Sequence, residues 1–201
     1  MSLLSDAKAL GGVGSILILF TPVPSVGWLV GIAGLVMILV AVSKISQIVG
    51  DRTIYGNMQN AVVLAIGAVA VGAVTIVSTI YHVLGMGSFV NSRFVMGTIH
   101  PADFFGIAAV VIAGVLAVWA LLVTSSVFVR RSFKSIGSRL HVGTFDTAGL
   151  LYLIGAATAI IFVGFIIIFI AEILLAVSFF SIPEQPMAVQ GGQAPPLPAT
   201  S

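Results

Sequence analysis

The sequence predicts an all-α membrane protein: a polytopic bundle of about five transmembrane helices, the first two forming a short Pro-turned hairpin. Three observations carry this. Hydrophobic residues make up 59% of the 201 residues, with a mean hydropathy of +1.23. Charged residues are 7%, against about 25% in an ordinary soluble domain. The apolar residues fall in long runs, and a backbone in hydrocarbon must satisfy its own hydrogen bonds. Alternating ten-residue barrel strands are absent from the sequence. A soluble domain, a disordered chain and a nucleic-acid binder are excluded. With no cysteine, disulfide scaffolds and Cys-ligated metal sites are excluded as well.

The first predicted helix runs from Ala9, or from Ser5, to about Thr21. Ser5 suits a cap, and Asp6 suits the positive end of the helix dipole. Thr21-Pro22-Val23-Pro24 then stops it. At about 24 Å it is a marginal span. Lacking an Ala-x-Ala site, it is expected to be retained rather than cleaved as a signal peptide. The second helix is Val26 to Val42, the third Asn60 to Leu84 and the fourth Phe104 to Val129. The fifth is expected as one element from Asp146 to about Phe180.

Loop charges orient these spans. Lys8, Lys44, Arg52, Arg130, Arg131, Lys134 and Arg139 fall on one side, and Arg93 on the other. The positive-inside rule puts the larger group in the cytoplasm. The expectation is therefore a multi-pass cell-membrane protein, N-terminus cytoplasmic and C-terminus outside. Trp28, Tyr81, Phe104, Phe105, Phe179 and Phe180 are expected as an outer aromatic belt, and Phe128, Phe145 and Tyr152 as an inner one. Trp119, in mid-span, is expected to pack or face lipid.

The domain organisation is a transmembrane domain over 1–182 and a Pro-rich extracytoplasmic tail over 183–201, which holds five of the eight prolines. The outer loop from Gly85 to Asp103 is apolar and expected to lie on the membrane or the bundle. The inner stretch RRSFKSIGSRLHVGT, residues 130–144, is expected as a loop. Its Arg130, Arg131, Lys134 and Arg139 would meet anionic lipid headgroups, at about 1 kcal/mol each.

Glu172 is the residue most open to a chemical role. It interrupts an apolar run from Ala148 to Ile182 that only Thr158, Ser178 and Ser181 otherwise break. An ionisable group inside a span is costly and points to function. As a single helix this run covers about 52 Å, longer than the hydrocarbon core. That length favours an interfacial, wet Glu172 over a buried one. His82, Arg93, His100 and Asp103 form a candidate polar cluster on the outer face, with no metal-ligand spacing. No metal and no cofactor are expected.

Small residues recur at four-residue spacing, which lets helix backbones approach closely. The pairs are Gly27 with Gly31, Ala68 with Gly72, Ala109 with Ala113, and Gly155 with Ala159. They are read first as packing within the bundle and second as contacts between molecules.

Two stretches carry a resemblance. Near the N-terminus stand AKALGGVGSIL, then KIS followed by DRTIY. Near the C-terminus stand FDTAGLLYLIGAA and AVSFFSIP. Together they resemble an uncharacterised family of small, mostly archaeal multi-pass membrane proteins, a domain of unknown function. The resemblance implies an archaeal membrane setting and brings no reaction or catalytic residue.

No nucleophile–base pair or phosphate loop is evident, and no enzyme is expected. The leading expectation is an accessory or structural subunit of a larger membrane complex or homo-oligomer. Its partners would be membrane lipids and other membrane subunits or further copies of itself, with no nucleic acid. The alternative is a small channel or transporter using Glu172.

Overall fold

The computed structural model describes residues 3–84 and 101–183, all in helices and short turns. The helices are α1 (Leu3–Leu19), α2 (Gly27–Val49), α3 (Arg52–Leu84), α4 (Pro101–Leu140), α5 (Thr144–Thr158) and α6 (Val163–Phe180). A 3-10 turn, Ala159–Ile161, joins the last two. Five of these, α2 to α6, are long and apolar enough to cross a membrane, α5 when its 3-10 turn is counted. The outer loop 85–100 and the tail beyond Pro183 lie outside the described residues.

The helices pair as three antiparallel hairpins, α1–α2, α3–α4 and α5–α6, and α6 also packs along α1 and α5 along α4. In the first hairpin the expected proline turn occupies residues 20–26. Just past it the helices cross in backbone contact: a Cβ on Gly14 would stand 2.7 Å from the Gly34 oxygen, and one on Gly34 would stand 2.6 Å from the Gly14 oxygen. Thr21 fills the space left by Gly31. The close approach expected of Gly27 and Gly31 is therefore made to the turn of the same hairpin.

The predicted fifth helix is corrected. It breaks at residues 159–162 and folds back on itself. Gly155 and Gly164 sit where the two arms touch, each leaving room for the other's carbonyl. Phe162 turns the chain in the left-handed region at φ 62°, without a glycine. The carbonyls released by the break find other donors. The Trp119 indole N–H donates to the Ala157 oxygen at 3.1 Å, and the Thr158 hydroxyl, bonded back within α5 to the Ile154 oxygen at 2.8 Å, also reaches the Gly155 oxygen at 3.4 Å. Trp119 thus secures the break from α4.

This fold-back moves the C-terminal end. Phe179 lies against Gly11 and Phe180 against Gly12 of α1. Ile182 shares a core with Leu4 and Ala7. Residues 3 and 183 therefore stand at the same end of the bundle. Phe179 and Phe145, expected in aromatic belts, are fully buried in that core. Their rings meet edge to face at 5.0 Å, with Phe133 6.1 Å beyond Phe145.

The same end gathers the charges. Lys44 pairs with Asp6 at 3.0 Å and Arg139 with Asp51 at 3.4 Å. The α2–α3 connection is short and well made. Gly50, at φ 72°, ends α2, and the Asp51 N–H returns to the Ser46 carbonyl at 3.1 Å. The Asp51 carboxylate then caps α3 by accepting from the Thr53 N–H at 3.0 Å and the Thr53 hydroxyl at 2.6 Å.

The expected 130–144 loop is corrected too, since α4 continues unbroken to Leu140 and only residues 141–143 connect it to α5. The reason lies in its apolar face: Phe133 and Ile136 remain buried beyond the last purely apolar turn. The α3–α4 pair is tied by two hydroxyls one heptad apart. Ser125 donates to the Ala61 oxygen and Ser132 to the Ile54 oxygen, both at 2.8 Å. Away from this basic end much of the pair's surface is open, although Trp119 still reaches α5. Val69 is 74% and Phe105 71% exposed, the natural surface of a lipid-facing hairpin.

Candidate functional site

Three short facts build the site. Glu172 is the tenth of the eighteen residues of α6, so the fold-back sets it halfway along its helix. Its side chain faces the bundle, leaving it 4% exposed. It lines a cavity of about 70 Å³ between the three hairpins. The wet interfacial position expected for it is corrected, because that position followed from reading residues 146–180 as one helix.

The cavity is built almost wholly from aliphatic and aromatic side chains. Ile18 of α1, Leu35 and Ile38 of α2, Met58 of α3, and Val129 and Phe133 of α4 line it. Polar groups come from Glu172, Tyr152 of α5 and Ser125 of α4. Ser125 already donates to Ala61, and buried Oε2 of Glu172 has no hydrogen-bond partner. A buried carboxylate with a free oxygen is an expensive arrangement unless a proton or a cation joins it.

Tyr152 is set opposite Glu172 by the hairpin's register. The Gly155 Cβ position abuts Ile168, and one turn further toward the basic end brings residues 152 and 172 to the same cavity. Sequence reasoning placed Tyr152 in an inner aromatic belt. Its place would have emerged from one signal, an apolar run nearly twice a membrane thickness, read as two antiparallel helices rather than one overlong helix.

The other anticipated residues do not join this site. Arg93 and His100 lie outside the described residues, as do the side chains of His82 in α3 and Asp103 in α4. Arg131 is exposed and sits 5.6 Å over the Phe128 ring, Lys134 is exposed, and Arg139 holds Asp51. Arg130 passes beside Gly149, and its Nε is buried without a hydrogen-bond partner. Among the packing residues, Ala68 is buried, and a Cβ on Gly72 would touch Val118 at 3.7 Å. The Ala159 backbone packs against Gly164. Ala109 and Ala113, however, are exposed, and it is Gly114 that receives Thr75 of α3.

Outside the spans, the Asp51 carboxyl is held below the usual carboxylate range, first by the Thr53 hydroxyl and N–H it accepts from and then by Arg139. It is a structural cap, remote from the cavity.

Residues 30–173 match a family described as protein of unknown function (DUF996). The chain belongs to this family. It is also 35% identical, over 183 residues, to an uncharacterized protein of Methanocaldococcus jannaschii. That alignment covers 90% of this chain and 94% of its relative. No solved structure matches. The family match includes most of α2, all of α3 to α5 and the part of α6 that carries Glu172, so every lining residue named above except Ile18 falls inside it. The resemblance read from the sequence holds at the level of the family.

Proposed function

We propose that the protein is a small membrane carrier in which Glu172 is the ion- or proton-linked residue. The observation that supports this is a carboxylate halfway along α6, 4% exposed, with one oxygen lacking a partner inside a cavity between hairpins. Burying an ionisable group in a membrane without a permanent partner is hard to justify for structure alone. It serves a carrier well, because loading and unloading the carboxyl changes the charge of the cavity. The hairpins are also unequally joined. α2 meets α3 far less extensively than each meets its own hairpin partner, so the cavity has a seam along which hairpins can separate.

The positive-inside rule sets the orientation. Lys8, Lys44, Arg52, Arg130, Arg131, Lys134 and Arg139 keep the basic end cytoplasmic, and the tail after Pro183 adds no Lys or Arg. With α5 and α6 folded back and α1 packed along α6, residues 3 and 183 then lie on the cytoplasmic side.

Reconstitution tests the reading. Wild-type protein in liposomes should dissipate an imposed proton gradient when a transported solute is present, and Glu172→Gln should reduce this at least tenfold. Equal flux in the two proteins, or none in wild type across a broad solute panel, overturns it.

A second reading, an accessory subunit or homo-oligomer, is favoured by one observation. Ala109, Ala113 and Ala117 form an exposed small-residue stripe on α4, and among the described residues nothing stands near Gly67 or Gly106. Such a surface suits close helix contact with another chain. Native mass measurement after mild extraction should then show a fixed stoichiometry, and a bare monomer overturns this reading.

A further inference from the structure

The size and the polar groups of the cavity narrow what Glu172 can take up. At about 70 Å³ the cavity has room for about two waters, each claiming about 30 Å³ in the liquid. In this conformation an organic solute does not fit. An inorganic cation gives up its hydration shell only to about six or more oxygens, or to rings of carbonyls. The described lining offers side-chain oxygens from Glu172, Tyr152 and Ser125 alone, which with one water beside the ion falls short of such a shell. A proton needs neither a shell nor a volume of its own. Ser125 gives its hydrogen to the Ala61 oxygen at 2.8 Å, so toward the cavity it can only accept. The buried Oε2 of Glu172 has no protein partner. Two acceptors around a space of this size call for donors, and water is a donor small enough to enter.

We propose that the ion taken up by Glu172 is the proton, passed through about two waters that join its carboxyl to the Tyr152 and Ser125 hydroxyls. This rests on the carrier reading and names its coupling ion. On loading, a proton from water bonds to a carboxylate oxygen, and the carboxyl goes from one negative charge to none. On unloading, that O–H bond breaks and the proton returns to water. No oxidant or co-reactant is involved. In the ionised state the waters and the Tyr152 phenol donate to the carboxylate, which offsets part of the cost of a buried charge. In the protonated state Glu172 becomes a donor, and Ser125, its own hydrogen spent, accepts through a water. Tyr152 is thus a positioning residue for the waters and the carboxyl. It is also the other titratable side chain lining the cavity; the described linings from α1, α2, α3 and α4 carry none. Arg130 of α4 does not line it.

The test uses the full chain in liposomes, with infrared difference spectra taken between acid and alkaline buffer. A carboxylic C=O band should appear on the acid side that Glu172→Gln abolishes. Glu172→Asp keeps a carboxyl and should keep such a band, which guards against a folding defect in the first variant. Tyr152→Phe should move the band to higher frequency, since a carboxyl that loses a hydrogen-bonding neighbour has a stiffer C=O bond. Heavy-oxygen water should shift narrow O–H bands that are missing from Glu172→Gln. Replacing choline by sodium or potassium at fixed pH should leave the Glu172 band unchanged. A band that either cation displaces, or no Glu172 band at any pH, overturns the assignment of the proton. Spectra that ignore heavy-oxygen water overturn the waters, and an unmoved band in Tyr152→Phe overturns the part given to Tyr152. If a cation displaces the band while Glu172-dependent flux persists, the proton proposal fails and the carrier reading stands. If the band titrates while flux ignores Glu172, the carrier reading falls and the titrating site remains.

Discussion

The first and last hairpins solve one problem with different turns. Both α1–α2 and α5–α6 bring two helices into backbone contact through facing glycines, Gly14 with Gly34 and Gly155 with Gly164. The first turns through Thr21-Pro22-Val23-Pro24, residues that cannot continue a helix. The last turns through Ile160-Ile161-Phe162, residues that read as membrane helix. The difference teaches that a turn can be imposed from outside its own residues. Glycine pairing holds the arms together, and Trp119 and Thr158 take the freed carbonyls.

The largest test of that comparison is Gly164→Val. A side chain there meets backbone atoms of Gly155 and Ala159, which cannot yield. The hairpin should open at a cost of about 3 kcal/mol or more. Loss of the folded species on size-exclusion in detergent, with Glu172 accessible to carboxyl reagents, would show it. Gly34→Ala probes the matching place in the first hairpin, where part of the obstruction is the movable Ile18 side chain. A smaller loss is expected, about 1–3 kcal/mol, read as a lower midpoint of thermal unfolding. If Gly34→Ala proves the worse, the last hairpin does not depend on its glycines as argued.

Phe162→Gly sharpens the comparison in the opposite direction. A left-handed non-glycine residue costs about 1 kcal/mol or more, so this variant should raise the unfolding midpoint. The α3–α4 pair supplies a contrast held by hydroxyls. Ser125→Ala should cost about 0.6 kcal/mol, in keeping with interhelical hydrogen bonds in membranes. The smallest effect concerns the Asp51 cap. Its folded pKa lies below the ordinary 3.8, so its contribution is present above that value and fades as pH falls through the lower folded one. Asp51→Asn should therefore narrow the stability difference between pH 3 and pH 6, measured by thermal unfolding.

Legibility followed local chemistry. The membrane class, the α1–α2 hairpin and the α3 and α4 spans could be read because charge scarcity, prolines and run length act within a few residues. The α5–α6 fold-back could not, since its causes lie across the bundle: Gly164 acts on Gly155 backbone, and Trp119 on Ala157. Glu172 was visible as an anomaly in an apolar run, yet its depth depended on that unread turn. Tyr152 stayed hidden for the same reason, because its partner is reached only once the chain reverses.

The paired arrangement also bears on how the chain enters a bilayer during synthesis. Each hairpin returns to the end at which it started, so helices can be delivered two at a time, with their polar backbone satisfied before release into lipid. Lys8 lies in α1 and Lys44 in α2 toward the ends of the first pair, and Arg130 to Arg139 precede the last, so in the proposed orientation the cationic segments would stay on the ribosome's side throughout. On this route Glu172 need not cross hydrocarbon alone. It arrives with α5 already alongside, and the cavity closes around it only when α6 settles against α1.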